Sequence, residues 1–373
     1  MGSIIYGDLQ PVGEKIIWRG RPRQLPTYQG FDSYWVDSGT AALALTIVAA
    51  KQLNPDIKKP EVIIPAYGCP DLVAAATYAK VQPVLVDICE QDAGYNLDKL
   101  QNAINKNTIA VIAVNFLGIA ERLTAIKKLL PGNAYLIEDN AQSYQAIIDS
   151  TKIIGDFSIT SFGRGKPISL LGGGLALINK NLAVQLELGK QIKQPQKTLT
   201  FKLKAALYNL LLNPHLYAII SRAPFLQLGV TRYKKINDIV ALDANRAGLL
   251  SANIEHYRRG DRSNPKHYHL MIDALKGDDI KELGESARLR YPILCKTEQQ
   301  RNLLLEKFNA NGLGASAMYN AAMEDIEDIP DNLAQKENQN ASSFSKRLIT
   351  LPCHSRVTEK HRREILSIIK EIL

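Results

Sequence analysis

Short apolar runs alternate with helical patterns through the first half of the chain. The apolar runs predict strands over residues 61–65, 83–88, 109–116, 134–138, 157–162 and 175–179. The segments between them predict helices over residues 70–80, 97–104 and 120–130. Runs such as IAVIAVNF are apolar throughout, which is typical of parallel strands covered on both faces. The repeated order of strand, helix and strand therefore predicts an α/β domain with a doubly wound, mostly parallel sheet.

The pattern changes to mostly helix from about residue 181, and its most unusual part is the segment 191–235. A lysine-rich lead-in, QIKQPQKTLTFKLK, is followed by an apolar stretch that Pro214 and Pro224 divide into short pieces. We expect a helical insertion that packs on the body of the protein or on a second subunit. The alternative is a basic, amphipathic element that makes peripheral contact with a membrane surface.

The rest of the chain predicts a second, smaller unit. Residues 243–275 have the pattern of one long helix with polar faces, and a closing helix is predicted over 358–373. Between them, RYPILCK and AMYNAAM indicate an α+β arrangement. We therefore expect a large α/β domain over residues 1–245 and a smaller C-terminal α+β domain over residues 246–373, since 373 residues can form two cores.

Composition limits the class of partner. The net charge of +9 indicates an anionic partner, but the basic residues are spread along the chain without a nucleic-acid-binding motif, so nucleic acid is not predicted. A substrate that carries phosphates would use the same positive field. The four cysteines have no CxxC pair and no metal-ligand spacing, so we expect reduced thiols, no metal site and a cytoplasmic protein.

Two segments of the sequence have the pattern of an anion site. Ser38 is a good N-cap for the apolar helix that begins at Gly39 and Thr40, and the free N–H groups of such a first turn attract an anion. Ser161, at the end of a predicted strand, has a hydroxyl that could bind the same phosphate beside Thr40. The alternative for the first segment is simply a capped, buried helix.

A carboxylate follows another of the apolar strands, in the segment IEDNAQ. Asp139 falls at the carboxyl end of that strand, where a buried charge is costly unless it is paired. A protonated pyridine nitrogen is a suitable partner, and Gln142 lies three residues further on, where it could donate to a ring oxygen. The alternative is an aspartate that caps the following turn.

Lys166 lies in a glycine-rich loop between two predicted strands. A phosphate-binding P-loop is excluded, because Thr160 stands where glycine is required and Pro167 where Ser or Thr is required. A lysine near Asp139 and an anion site instead suits Schiff-base chemistry, in which the amine attacks an aldehyde and later acts as a general base.

These segments together resemble the DegT/DnrJ/EryC1/StrS family of sugar aminotransferases. The similarity rests on SGTAAL, VIIPAY with PVLVDI, IEDNAQ, SFGRGK and LPCHSRVT, which come in the family's order from about Val36 to the C-terminus. The resemblance implies the fold of the pyridoxal-phosphate (PLP) enzymes of the aspartate-aminotransferase type. It also implies a homodimer with a shared site, glutamate as the amino donor, and a keto group on a nucleotide-linked sugar as the acceptor, for surface polysaccharide or related biosynthesis.

Carried over by position, the resemblance implies a role for each of the candidate site residues. Lys166 is the Schiff-base lysine, Asp139 binds the pyridine nitrogen, and Gln142 lies near the ring hydroxyl. The phosphate ligands are Gly39, Thr40 and Ser161.

The sequence departs from the family at several positions. The aromatic residue that usually stacks on the cofactor ring falls at Cys69, which leaves Tyr67 or a different packing of the ring as the alternatives. The usual Gly-Glu-Gly-Gly after the lysine lacks its glutamate, because Leu171 precedes Gly172. These departures favour, as the alternative to an enzyme, a PLP-binding scaffold that is catalytically weak and regulatory or held at a membrane surface. Related dehydratases replace the Schiff-base lysine by histidine, and Lys166 argues against that reaction.

Overall fold

The computed structural model of the chain describes residues 7–18, 24–144, 148–184, 186–195, 200–221, 231–260, 263–273, 280–282, 289–330, 333 and 338–372. The fold is built on one seven-stranded sheet with the strand order β1-β7-β6-β5-β4-β2-β3. Its strands are β1 (Phe31–Val36), β2 (Glu61–Pro65), β3 (Gln82–Val86), β4 (Thr108–Val114), β5 (Tyr135–Asp139), β6 (Phe157–Ser161) and β7 (Gly174–Asn179).

Five of these strands, β3, β2, β4, β5 and β6, run parallel, while β7 is antiparallel to both β6 and β1. The six predicted strands are all present, and the prediction of a mostly parallel sheet is confirmed. The prediction missed β1, because FDSYWV alternates only partly and its middle residues are half-buried at the sheet edge. Since β1 and β6 point the same way, their carboxyl ends lie at the same edge of the sheet as those of β2 to β5.

Helices cover the sheet where the sequence predicts them. They are α1 (Gly39–Gln52), α2 (Asp71–Ala79), α3 (Leu97–Ala103) and α4 (Leu123–Leu129), followed by a short helix α5 (Lys180–Ala183). Helix α1 consists almost wholly of apolar residues because it is buried nearly all round, packed on α2 and on strands β6 and β7. Ser38 caps α1 by accepting a hydrogen bond from the Ala41 N–H group at 3.1 Å.

The predicted insertion leaves and rejoins the body at a pair of short strands. These are β8 (Ile192–Lys193) and β9 (Ile239–Val240), which pair in parallel, with Lys193 bound to Asp238 at 2.6 Å. Between them lie two helices, α6 (Phe201–Leu211) and α7 (Pro214–Ser221), which agrees with the helical expectation. Residues 196–199 and 222–230 of the segment, including Pro224, lie outside the described residues.

The prediction of a single long helix over residues 243–275 is wrong. The structure has two helices, α8 (Ala244–Arg259) and α9 (Asn264–Asp273), of which the first ends at an extended Gly260. Pro265 lies in the first turn of α9, where its missing N–H group costs nothing, so the chain restarts a helix there. Residues 274 and 275 lie outside the described residues.

The C-terminal part contains a three-stranded sheet in the order β10-β11-β12 with helices packed against it. Its elements are β10 (Ile280–Glu282), β11 (Arg290–Cys295), α10 (Glu298–Ala310), α11 (Gln339–Arg347), β12 (Leu348–Pro352) and α12 (Glu359–Ile372). Buried Asp87, just after β3, ties this part to the large sheet. Its carboxylate accepts the N–H groups of Asn340 and Ala341, at 3.2 and 2.9 Å, in the first turn of α11.

Candidate active site

Three of the predicted site segments meet at the carboxyl edge of the large sheet. Asp139 is the last residue of β5, and Lys166 lies in the loop that joins β6 to β7. Because β5 and β6 are parallel neighbours, their carboxyl ends lie side by side. Burial raises the pKa of Asp139, and Lys166 is close enough for its positive charge to oppose part of that increase.

Two consecutive buried carboxylates at the end of β5 have opposite environments. Glu138 accepts N–H groups from Ile154 at 3.1 Å and Gly155 at 3.3 Å, and a third hydrogen bond from the Asn140 amide at 3.0 Å. Asp139 accepts one backbone hydrogen bond, from the Ala141 N–H group at 2.8 Å. Glu138 is therefore a satisfied structural carboxylate, whereas Asp139 has lone pairs for a further partner.

Burial raises the pKa of Asp139 above the ordinary aspartate value, and the nearby Asp71 raises it further. The Ala141 N–H group and Lys166 oppose this increase without cancelling it. No ion pair within 4 Å involves Asp139 in the described part of the chain. A cationic group placed against this carboxylate would remove the electrostatic cost of its burial.

The residues predicted to bind the phosphate, here called the anion cradle, lie near Lys166 at the start of α1 and the end of β6. A Cβ atom on Gly39 would come within 2.6 Å of the Ser161 Cβ and 2.7 Å of its Oγ, so Gly39 permits a close approach of the helix to Ser161. Because Ser38 already caps Ala41, the N–H groups of Gly39 and Thr40 are the first-turn donors without an intrahelical partner. The structure thus brings the predicted phosphate ligands Gly39, Thr40 and Ser161 to one place.

Tyr67 and Cys69, the two residues predicted to contact the cofactor ring, lie in different environments. Tyr67 is 1% exposed, and its ring makes edge contacts with Phe116, Tyr319 and Phe344 at centroid distances of 5.6, 5.6 and 5.0 Å. Cys69 is half-buried instead and interacts electrostatically with Lys166. Of the two residues, Cys69 is the one that interacts with Lys166. A contact of either residue with the cofactor ring stays a prediction.

The thiol of Cys69 is neutral in this environment. Burial raises its pKa to about 12, and Asp71 adds to the increase more than Lys166 opposes it. A neutral thiol is a small, weakly polar surface and not a nucleophile. Cys69 could therefore contact a ring but is not suited to attack a substrate.

Gln142 is positioned through hydrogen bonds to two other elements. Its Oε1 accepts the Leu117 N–H group at 2.8 Å, and its Nε2 donates to the Tyr319 hydroxyl at 3.0 Å. Its amide has a second N–H for a ligand, which keeps the predicted contact with a ring oxygen open.

Two charged or polar neighbours of this site are not among the residues that the sequence predicts to bind the cofactor. Asp71 is the first residue of α2, where an acidic residue is ordinary. Its charge nevertheless adds to the increase in pKa that burial causes at both Asp139 and Cys69. Tyr319 is buried and comes from the C-terminal part, 177 residues from its partner Gln142. Only the three-dimensional fold reveals such long-range contacts.

The loop after Lys166 is held by an arginine from α8. Arg246 Nε donates to the Leu170 carbonyl at 3.1 Å and Nη2 to the Leu171 carbonyl at 3.3 Å. Leu171 has a φ of 58°, in the left-handed region that a side chain rarely adopts. Arg246 therefore stabilises a strained turn at the position where the sequence departs from the family pattern.

His354 lines a cavity of about 20 Å³ together with Lys166. Its Nε2 lies 2.9 Å from the Gln10 carbonyl oxygen and must be the donor there, which leaves Nδ1 as a buried acceptor without a partner among the described residues. Burial and the charge of Arg356 lower the pKa of His354 to about 3. The imidazole is neutral at physiological pH and offers an acceptor beside the lysine.

The described residues contain no group of three or more His, Cys, Asp or Glu side chains that could hold a metal ion. Within that part of the chain, no helix combines the length and the apolar character needed to cross a membrane.

The sequence matches the profile of the DegT/DnrJ/EryC1/StrS aminotransferase family over residues 30–191 and 242–370. GDP-perosamine synthase of Vibrio cholerae is 29% identical over 152 residues, which is 40% of this chain and 40% of that protein. A UDP-4-amino-4,6-dideoxy-N-acetyl-β-L-altrosamine transaminase of Campylobacter jejuni is 25% identical over 91% of this chain and 84% of its own length.

Solved structures of similar fold include sugar aminotransferase CalS13 of Micromonospora echinospora. It has a TM-score of 0.68 and 16% identity, with 91% of this chain and 87% of that chain covered. The PLP form of a candidate sugar aminotransferase of Streptococcus pneumoniae has a TM-score of 0.66 and 19% identity, with 91% and 88% covered. These likenesses confirm the expected fold of PLP-dependent enzymes.

The residues at the sheet edge fit PLP by their chemistry. The cofactor carries a phosphate, a basic ring nitrogen and an aldehyde, and the site offers an anion cradle, a carboxylate with free lone pairs and a lysine. Asp139 in particular gains from a cationic partner, because the charges within the protein leave its burial uncompensated.

The burial of Asp139 predicts a stability gain when its charge is removed. We expect Asp139→Asn to stabilise the cofactor-free protein at pH 7, because burial raises the pKa of Asp139 and so disfavours its charged form in the folded state. A carboxyl with a raised folded-state pKa destabilises the fold above that pKa. The gain should therefore vanish as the pH falls below the ordinary value of 3.8, where Asp139 is protonated in both states.

Urea unfolding of cofactor-free protein at pH 7 and at pH 3.5 measures this difference. The control Asp149→Asn removes an exposed carboxylate whose pKa is lowered by hydrogen bonds to Thr151, so it should give no gain. An Asp139→Asn protein less stable than the wild type at pH 7 would contradict the uncompensated burial.

Because Gly39 lies so close to Ser161, PLP binding should be sensitive to a single methyl group added at Gly39. We expect Gly39→Ala to displace Ser161 and weaken PLP binding about tenfold or more, the effect of losing one hydrogen bond to a charged group. Titration of stripped protein with PLP measures the affinity. Gly248→Ala is the matched control, since its Cβ would meet no heavy atom within 4 Å. Equal affinities in both variants would argue against this cradle.

Proposed function

The chain belongs to the DegT/DnrJ/EryC1/StrS aminotransferase family of PLP-dependent enzymes, and from this premise we propose that it transfers an amino group from an amino acid to a keto group on a nucleotide-linked sugar. The observation that carries the proposal is the convergence of Lys166 and buried Asp139 beside the anion cradle of α1. Glutamate is the proposed donor. The product would serve surface polysaccharide or related biosynthesis.

Each site residue has a defined part in this reaction. The N–H groups of Gly39 and Thr40 and the Ser161 hydroxyl bind the phosphate. Asp139, as the carboxylate, holds the proton of the pyridine nitrogen in place. When bound, PLP supplies an electron sink for negative charge at the substrate carbon. Lys166 Nζ would hold the cofactor and would act as the base that takes the proton from the donor Cα.

The nucleotide-sugar acceptor is supported by the relatives and by charge. The curated proteins similar to this chain include enzymes named for GDP-linked and UDP-linked sugars. The first of these is matched over only 40% of its length, so the acceptor is inferred by analogy. The net charge of +9 supports an anionic substrate such as a nucleoside diphosphate derivative.

We also propose that the protein works in the cytoplasm. The four cysteines are free in the structure, which suits a reducing compartment. Peripheral contact with a membrane through the segment 191–235 is a separate proposal, because it does not depend on the reaction.

The role of Lys166 is tested by the absorption spectrum of the purified protein and by turnover. We expect the visible band of lysine-bound PLP in the wild type, and we expect glutamate to convert it to the pyridoxamine form. Lys166→Ala should lack the band and lose turnover by about 10²–10⁴-fold, the usual contribution of a positioned base. Lys152→Ala, which removes a lysine side chain that is 78% exposed, is the control and should behave as the wild type. A wild-type band that glutamate leaves unchanged would support the catalytically weak alternative or another donor.

A homodimer with a shared site is the proposed working form. Light scattering on the purified protein should give about twice the chain mass of 41.3 kDa at micromolar concentration. A catalytically active species with the mass of one chain would rule out a site shared between subunits.

A further inference from the structure

The segment 191–235 carries almost all of the chain's net charge. It contains eight Lys or Arg residues and no Asp or Glu, in a chain whose net charge is +9. The family profile skips residues 192–241, so the segment lies outside what this chain shares with the family. The pairing of β8 with β9 closes its base, which makes it a discrete addition to the body.

Helix α6 presents an apolar stripe to the outside. Leu203, Leu207 and Leu210 are 72%, 51% and 58% exposed, and their spacing of four and three residues puts them on one face of the helix. Ile219 of α7 is 71% exposed as well. Half of the eight large apolar side chains that are exposed in the described part of the chain lie in these two helices, so the exposure is concentrated here.

The same helix is firmly fixed to the body on its other face. Phe201 and Ala205 are buried, and the Arg246 guanidinium lies 4.8 Å from the centre of the Phe201 ring. The Asn209 side chain pairs with both backbone groups of Ile16, at 2.9 and 2.8 Å. The exposed leucines therefore stand on an anchored helix and are not the result of a loosely packed segment.

The charge around this stripe distinguishes between two partners that could cover it, a second copy of the chain and an anionic lipid surface. Lys202 and Lys204 flank Leu203 and are exposed. A second copy of the chain meeting this face by two-fold symmetry would bring the same lysines together, which is unfavourable. An anionic lipid surface complements both features, since its headgroups attract the lysines and its acyl region accepts the leucines.

We propose that α6 docks the protein on membranes that contain anionic phospholipids, with the stripe Leu203, Leu207 and Leu210 inserted at the headgroup boundary. The lysines provide the attraction and the leucines provide the buried apolar area. This docking is independent of the amino-transfer reaction.

Co-sedimentation with vesicles tests the proposal on the full-length, PLP-loaded protein. We expect binding at low salt to vesicles of phosphatidylcholine with one quarter phosphatidylglycerol, little binding to phosphatidylcholine alone, and weaker binding as salt is added. Lys202→Glu with Lys204→Glu should lower partitioning by about 25-fold or more, since each basic residue near an anionic surface contributes roughly fivefold. Leu203→Ser with Leu207→Ser and Leu210→Ser should lower it by about tenfold or more.

Matched controls change the same chemistry elsewhere on the surface. Lys58→Glu with Lys59→Glu removes the same charge from an exposed loop, and Leu303→Ser removes a leucine that is 44% exposed on α10. Both controls should keep most of the vesicle binding.

Three results would overturn the proposal: no sedimentation with the anionic vesicles at low salt, equal loss in the control variants, or conversion of a dimer to monomers by the leucine substitutions. The last result would mean that a second copy covers the stripe. The spectral response to glutamate, recorded on the same samples, shows whether each variant is folded and tests the reaction separately from the docking.

Discussion

The candidate site depends on one electrostatic constraint, the burial of the Asp139 carboxylate at the end of β5. Its neighbour Glu138 shows what a satisfied carboxylate requires at this depth, with backbone N–H groups on one oxygen and the Asn140 amide on the other. Among the described residues, the Asp139 carboxylate accepts one hydrogen bond, from the Ala141 N–H group, and burial raises its pKa. A carboxylate left in this state costs stability unless a ligand supplies positive charge, and a protonated ring nitrogen would do so.

The arrangement of the sheet brings the remaining parts to the same edge. Because β1, β5 and β6 all end there, the cradle at Gly39, the carboxylate and the lysine loop lie next to one another without a long connection. Arg246 then stabilises the left-handed turn at Leu171 that follows the lysine. The loop is therefore fixed by an arginine from α8 although the glutamate usual in the family is missing. The missing glutamate does not by itself favour an inactive scaffold.

Residues close to the end of an apolar run were predictable from sequence. Asp139 and Ser161 each end a strand whose apolar pattern is plain, Lys166 lies in the loop after one of them, and the Ser38 cap marks the start of α1. The contact of Tyr319 with Gln142 and that of Arg246 with the lysine loop were not predictable, because both join residues far apart in the chain. The break at Gly260 was missed because polar periodicity continues across it, although Gly260 and Pro265 are both helix-ending signals. The boundary between the two predicted domains stays a prediction.

The proposed reaction requires a covalent bond between PLP and Lys166. Reduction of the PLP-loaded protein with borohydride makes that bond permanent, and peptide mass spectrometry then locates the modified lysine. We expect a single pyridoxyl group, on the peptide that contains Lys166. A modification on another lysine, or none in protein that retains PLP, would contradict it.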